Sequence, residues 1–583
     1  MQVQQSDSLQ LDMLRQRLPF VVAALVVISI LLLLRVISFQ FPQDPRVLSE
    51  FAAQRDANSG RIERIETDRG LIFDRNGNPL AFNTRQYRIS ISPNLVSDTR
   101  RTAAQLATIL NRDEIELYDL LQFNETIPLG THPPQTWRQI DDLGLLAISV
   151  ERVQRRLYPQ GTLGSQVIGF VNDVGEDAHG NYGVEGYYDQ HLVGTVQNQA
   201  VSNIPFDLPE DTSTLEGGAN LVLTLDRDIQ FLAETELQRA ISETGAQSGT
   251  IIIMNPRNGD IWAMASNPTF DPNAFFNVRQ NELGNPAISN VYEPGSIFKV
   301  ITIASALESG AITPEWTYND QGRYEIGGIV IQNWDRQAHG VRDAQQILVE
   351  SLNVGSATIA REMGWETFYE MLDRFGIGKL TRVDLDGEEA GILLTPNDTS
   401  GEWGESYLGT NSFGQGVSVT SLQLLTAINA IANGGLMYQP RMVYQIVDGE
   451  DIYQSDPQPL GRPISEETAH IVTEMMVATV REGDERAQVP GYTIAGKTGT
   501  AEIPGVVDYS SNESIMSFAG FLPADDPQVS VLIVLNRPTS GRWASEVIPP
   551  IFSRLTSRLV VLLEIPPDDV RHALASEGVE IGQ

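Results

Sequence analysis

Residues 292–310 read YEPGSIFKVITIASALESG. Pro294 and Gly295 interrupt regular structure, and from Ser296 onward apolar side chains recur at helical spacing, so a helix is expected to start at Ser296. Ser296 and Lys299 form an S-x-x-K pair. Three residues apart on a helix, they share one face and lie within reach of each other. A serine hydroxyl is a poor nucleophile until a neighbouring base takes its proton, and a lysine serves as that base once burial and nearby charge lower its pKa. The helix start adds a field that favours a developing anion. A capping serine followed by a surface lysine has the same spelling, so the pair needs support from elsewhere in the chain.

That support comes from the lysines. Of 40 Lys and Arg residues, only Lys299, Lys379 and Lys497 are lysine. Arginine serves wherever plain positive charge suffices, but it stays protonated and cannot act as a base. Two of the three lysines fall in candidate catalytic motifs. Lys497 stands in IAGKTGTAEI, an apolar run entering Lys-Thr-Gly that reads as a strand, and Ser351-Leu352-Asn353 is the only S-x-N between Lys299 and Lys497. Chance assembly of this ordered trio is on the order of one in a thousand at ordinary residue frequencies. Lys379, in FGIGKLTRVDLDGEEAG at 375–391, reads as structural.

Bulk properties bound the rest. A chain of 583 residues exceeds what one core organises, so at least two folded domains are expected. Hydrophobic residues at 41% and charged residues at 20% are ordinary for globular protein. A formal charge of -35 argues against a nucleic-acid partner. The absence of cysteine excludes disulfides and thiolate metal sites, and six scattered histidines make no metal centre, so neither metal nor cofactor is expected. From Leu18 to Leu34 there is no charge, and with Val36, Ile37 and Phe39 the run is long enough to cross a hydrocarbon core of about 30 Å. It is followed by no small-residue cleavage site, so an uncleaved single-pass anchor at 18–39 is expected, with a cytoplasmic tail at 1–17 and an extracytoplasmic body.

Beyond the anchor, RGLIFDRNGNPLA at 69–81 places an Asp-Arg-Asn-Gly turn between two strand-like runs, a hairpin signal. A helical stretch runs through Leu106, Leu110, Ile115, Leu117 and Leu121, followed by RRLYPQG at 155–161 and GNYGVEGYYDQHLVG at 180–194. From about Asn220, LVLTLDRDIQ leads into a helix around 231–241. GTIIIMN, PRNG and DIWAMAS at 249–266 then read as a hairpin in a buried sheet. Gly414 and Gly416 in SFGQGVSVTSLQLLTAINAIANGG at 412–435 suit a tight turn near the site, VSVLIVLN at 529–536 is a further strand, and 544–565 a closing helix.

Together the S-x-x-K, S-x-N and K-T-G set and the three N-terminal boxes resemble the class B penicillin-binding proteins, over roughly 69–565. The resemblance implies an α+β multidomain fold: a transmembrane helix, a mixed α/β pedestal or dimerisation domain at 40–215, and a transpeptidase domain at 220–566. That domain would have a five-stranded, mainly antiparallel sheet flanked by helices, with a tail at 567–583. It implies that Ser296 attacks the penultimate D-Ala carbonyl of a peptidoglycan stem peptide, that Lys299 accepts its proton and that Ser351 relays a proton to the leaving amine. Asn353 would hold the substrate amide and Lys497 tune the charge around Ser351. Thr498, Gly499 and Thr500 would bind substrate, the two threonines through its terminal carboxylate, and the amides of Ser296 and Thr500 would form the oxyanion hole. β-Lactams would acylate the same serine. Glu293 and the Ser-Leu-Asn form look like division transpeptidases more than elongation ones, with a SEDS-family glycosyltransferase as partner in the cytoplasmic membrane. The competing readings are a D,D-carboxypeptidase, a β-lactam receptor and a β-lactamase. Against the last, there is no E-x-x-x-N box of the class A kind.

Overall fold

The computed structural model describes residues 19, 22–35, 60–172, 178–202, 217–398, 401–503 and 513–577. The chain divides into two compact units, residues 1–67 with 195–216, and residues 68–194 with 217–583. In the first, residues 22–35 are helical, and Gly60–Glu66 pairs antiparallel with Val196–Ser202, Gly60 opposite Ser202. No helix among the described residues is long and apolar enough to cross a membrane. The apolar run expected to span at 18–39 is described only at 19 and 22–35, and the tail expected at 1–17 lies outside the described residues.

The second unit is built around a five-stranded sheet in the spatial order Ile261–Asn267, Ser248–Met254, Val529–Asn536, Ser514–Leu522, Ala495–Glu502. Every neighbouring pair is antiparallel. The central strands read as unbroken apolar runs because both of their faces are covered. Ile251, Ile253, Val531, Ile533 and Phe518 point to one core, with Leu232, Leu237, Phe552 and Leu555 from the helices Arg227–Thr244 and Pro549–Leu562. Ile252, Met254, Leu532, Val534 and Phe521 point to the other, with Phe298, Ile301, Leu425 and Ile428 from the helices Phe298–Glu308 and Ser421–Ala432. The closing helix expected over 544–565 is two helices, Ala544–Val547 and Pro549–Leu562. Pro549 and Pro550 have no N–H to give to the preceding turn, so the helix restarts there.

The boundary expected at 215–220 marks a change along the chain, yet in space one sheet runs across it. Ile72–Phe73 lies parallel to Asn220–Leu223, with Ile72 opposite Leu221, and Val443–Asp448 continues the sheet on the far side. The hairpin at 69–81 forms as its turn residues predict, with Ile72–Phe73 paired to Pro79–Ile91. Asp74 is fully buried in it, and its carboxylate accepts from the amides of Asn76, Asn78 and Arg227. The helical stretch over 106–121 is two helices, Thr99–Leu110 and Glu114–Leu120, because Asn111 turns left-handed at φ 51° and Asp113 caps the second.

The three N-terminal boxes, far apart in sequence, converge on one carboxylate. Glu185 is 0% exposed. Its Oε2 accepts from Arg69 Nε at 2.9 Å and Nη2 at 2.7 Å, and its Oε1 from Arg156 Nε at 2.7 Å and the Tyr158 hydroxyl at 3.2 Å. Arg69 Nη1 also donates to Asp189 at 2.7 Å, and Arg156 Nη1 to Gly70 O at 2.7 Å. One residue of each box is thus fixed to the others by charge-assisted, partly bidentate bonds.

Candidate active site

Gly295–Ile297 forms a single 3₁₀ turn that runs into the helix Phe298–Glu308, so Ser296 sits on the first turn. Gly295 has φ +57°, and a Cβ built on it would meet Thr500 O at 2.7 Å. Only a glycine lets the serine turn approach the Lys-Thr-Gly strand so closely. The strand answers in kind, for a Cβ on Gly499 would meet Pro294 O at 2.8 Å. Gly295 N also donates to Gly414 O at 3.1 Å, which places the turn expected at 414–416 against the nucleophile segment.

Lys299 is 0% exposed. Its Nζ is 2.6 Å from Ser351 O, 2.8 Å from Asn353 Oδ1 and 3.2 Å from Ser351 Oγ, and Ser351 Oγ is hydrogen bonded to Ser296 Oγ at 2.9 Å. Lys299 thus reaches the nucleophile through Ser351. Burial, together with the neighbouring Lys497, holds the Lys299 amine well below the ordinary lysine value. A neutral amine has the lone pair that a base requires. Ser351 lies between the helices Ala344–Val349 and Asn353–Arg374 with φ 56°, a left-handed conformation unusual for serine. Asn353 opens the second of these helices, and its Nδ2 donates to Gln332 O at 3.1 Å.

Lys497, Thr498, Gly499 and Thr500 lie on the strand Ala495–Glu502, at the edge of the five-stranded sheet. Lys497 is buried, and burial holds its pKa below the ordinary lysine value although the Asp484 carboxylate pulls the other way. Thr500 Oγ1 accepts from Ala544 N at 2.9 Å, which leaves its own proton unspent. The structure therefore gathers Ser296, Lys299, Ser351, Asn353 and the 497–500 strand, the set that the family resemblance implies. Lys379 stands apart, half exposed and paired with Asp373 at 2.5 Å.

Three residues at the site escape the sequence motifs. Asp484 is buried behind the strand and accepts from Thr498 Oγ1 at 3.1 Å. Trp334 and Trp543 meet edge to face, ring centres 5.4 Å apart. Trp334 Nε1 donates to Glu350 O beside Ser351, and Trp543 directly precedes the Ala544 amide bonded to Thr500. The pair thus touches across the site. An isolated tryptophan in a loop has no periodicity to announce it.

Comparison with known proteins gives the family. Residues 249–557 match the penicillin binding protein transpeptidase domain, and residues 64–202 match the penicillin-binding protein dimerisation domain. Stage V sporulation protein D of Bacillus subtilis is 32% identical over 570 residues, covering 95% of this chain and 86% of the relative. The peptidoglycan D,D-transpeptidase FtsI of Escherichia coli is 30% identical over 528 residues, covering 88% and 87%. Among solved structures, penicillin binding protein 3 of Mycobacterium tuberculosis in complex with aztreonam has a TM-score of 0.67 at 28% identity and covers 87% of this chain and 98% of that one. Penicillin Binding Protein 2X of Streptococcus thermophilus shares the fold at a TM-score of 0.72 and 22% identity, covering 86% and 80%. The chain belongs to the penicillin-binding proteins, in the class B arrangement of a dimerisation domain ahead of one transpeptidase domain.

Proposed function

We propose that the chain is a peptidoglycan D,D-transpeptidase working through an acyl-enzyme on Ser296; the observation that carries this reading is the buried Lys299 joined through Ser351 to the serine hydroxyl. The neutral amine draws the Ser296 proton along the Ser351 hydroxyl. Ser296 Oγ attacks the penultimate D-Ala carbonyl while the amides of Ser296 and Thr500 hold the oxyanion, a contribution of about 3 to 4 kcal/mol per donor. As the C–N bond breaks, Ser351 returns the proton to the departing D-Ala amine, and Asn353 holds the substrate amide. The Thr500 hydroxyl meets the terminal carboxylate. An amine of a second stem peptide then attacks the Ser296 ester; the C–O bond breaks, and the amine's proton passes through Ser351 and Lys299 back to Ser296 Oγ. A β-lactam ring opens at the same serine and stays attached, in keeping with the aztreonam complex of the Mycobacterium tuberculosis relative.

Fluorescent penicillin labelling of the full chain in detergent tests this. Wild type is expected to label and Ser296→Ala not to; equal labelling of both sinks the assignment. Stem-peptide products separate cross-linking from release of free D-Ala, which would make the enzyme a carboxypeptidase.

In the cell, residues 18–39 anchor the chain in the cytoplasmic membrane with the body outside, and the role is septal, beside a SEDS-family polymerase. The likeness to FtsI, Glu293 before Pro-Gly-Ser, and Ser-Leu-Asn support the septal reading. Tagged protein is expected at the septum; side-wall localisation would assign it to elongation.

A further inference from the structure

The chemistry above leaves one buried carboxylate unused. Asp484 follows the helix Glu466–Glu482 after one glycine. Its amide donates to Thr479 O at 3.0 Å and its carbonyl accepts from Ala487 N at 2.8 Å, so its backbone is pinned on both sides. Its side chain reaches the Lys-Thr-Gly strand from behind and is 4% exposed. Thr498 Oγ1 stands 3.1 Å from Asp484 Oδ2 and 3.4 Å from Oδ1, and Lys497 Nζ stands 3.4 Å from the same hydroxyl. A threonine hydroxyl has one proton to give and lone pairs to receive. Here the proton goes to Asp484 and a lone pair to Lys497. Thr498 therefore has no proton left for a substrate carboxylate, whereas Thr500 keeps its own.

We infer that Asp484 is a positioning residue of this centre, a counter-ion that holds Lys497 as an ammonium through the bridging hydroxyl of Thr498. The inference rests on the acyl-enzyme reading of Ser296 and Lys299. An amine buried without an anion sheds its proton. Burial draws Lys497 in that direction and the charge of Asp484 draws it back. Lys497, kept charged, in turn depresses Lys299 on the nucleophile helix. One carboxylate thereby keeps two buried lysines in opposite protonation states, one an acid and the other a base. Burial raises the Asp484 carboxyl above its ordinary value, and Lys497, the Thr498 hydrogen bonds and Arg486, whose guanidinium donates to Ser545 O at 2.7 Å, pull it back toward the anion.

The test is the acylation rate of the full chain in detergent with fluorescent penicillin, followed against pH. For wild type the rate is expected to fall at alkaline pH as Lys497 loses its proton. In Asp484→Asn that alkaline limb is expected to move down by about one pH unit, a roughly tenfold slower rate on the limb, with Asp484→Glu restoring it. Thr498→Val, which cuts the bridge and keeps the carboxylate, is expected to move the limb the same way. An Asp484→Asn limb that stays in place, or a rate lowered equally at every pH, overturns the inference. If Asp484→Asn does not fold, the Thr498→Val limb decides by the same criterion. Absence of labelling in wild type would instead refute the acyl-enzyme reading itself.

Discussion

Where the three N-terminal boxes meet, Glu185 is as deeply buried as any residue in the chain, and two guanidinium groups and a phenol answer it. At the catalytic site Lys299 is equally buried, but it is met by a carbonyl, an amide oxygen and a hydroxyl, with a second lysine nearby. Burial alone would push Glu185 toward its neutral form; Arg156 and Arg69 outweigh burial and hold its carboxyl below the ordinary value. For Lys299, burial and the neighbouring Lys497 act in the same direction and hold the amine well below the ordinary lysine value. The same loss of solvent thus gives a fixed ion in one region and a base in the other, according to what stands opposite the charge.

The sharpest way to break this comparison is Lys299→Arg, which keeps the positive charge and removes the ability to lose it. Acylation by fluorescent penicillin is expected to fall by roughly 10² to 10⁴-fold; retained acylation would remove Lys299 as the base. Glu185→Gln attacks the other side, leaving Arg69 and Arg156 without their shared anion. It is expected to lower stability by about 3 to 5 kcal/mol in denaturant unfolding, while the folded fraction still acylates at the wild-type rate. The sign with pH follows from the depressed carboxyl. Its stabilisation is present above the unfolded value of 4.5 and is lost as pH falls through the folded value, so the two proteins should converge in acid. An equal gap at all pH would show that shape, not charge, makes the difference. The smallest effect is expected from Lys379→Ala, whose exposed pair with Asp373 is worth about 0 to 1 kcal/mol. A larger loss in unfolding or in acylation would end the distinction between buried and exposed lysines.

Much of the site is legible in the sequence because its signals are local. Ser296 and Lys299 are one helical turn apart, and Ser351 with Asn353, and Lys497 with Thr498, are each neighbours. The hairpin at 69–81 and four strands of the catalytic sheet announce themselves by turn residues and apolar runs, whereas Ser514–Leu522 goes unread. What sequence leaves dark is non-local. Asp484 sits in REGDER, three acids among two arginines, and reads as surface until the strand at Ala495–Glu502 packs back over it. Trp334 and Trp543 meet only through the folding of everything between them. The sheet that joins 72–73, 220–223 and 443–448 is equally invisible, since each strand alone is too short to name its partner. The breaks at Asn111 and at Pro549 are local and could be read, but each asks for one residue to outweigh a long periodic stretch.

Ser351 carries a hydroxyl on a backbone that glycine would adopt freely. A non-glycine residue held there stores on the order of 1 to 3 kcal/mol. Random substitution at this codon therefore has a downhill direction, toward a sturdier protein with no relay between Lys299 and Ser296. Only selection for turnover holds the position against that drift, and a library screened for thermal stability alone should discard the serine among its first changes.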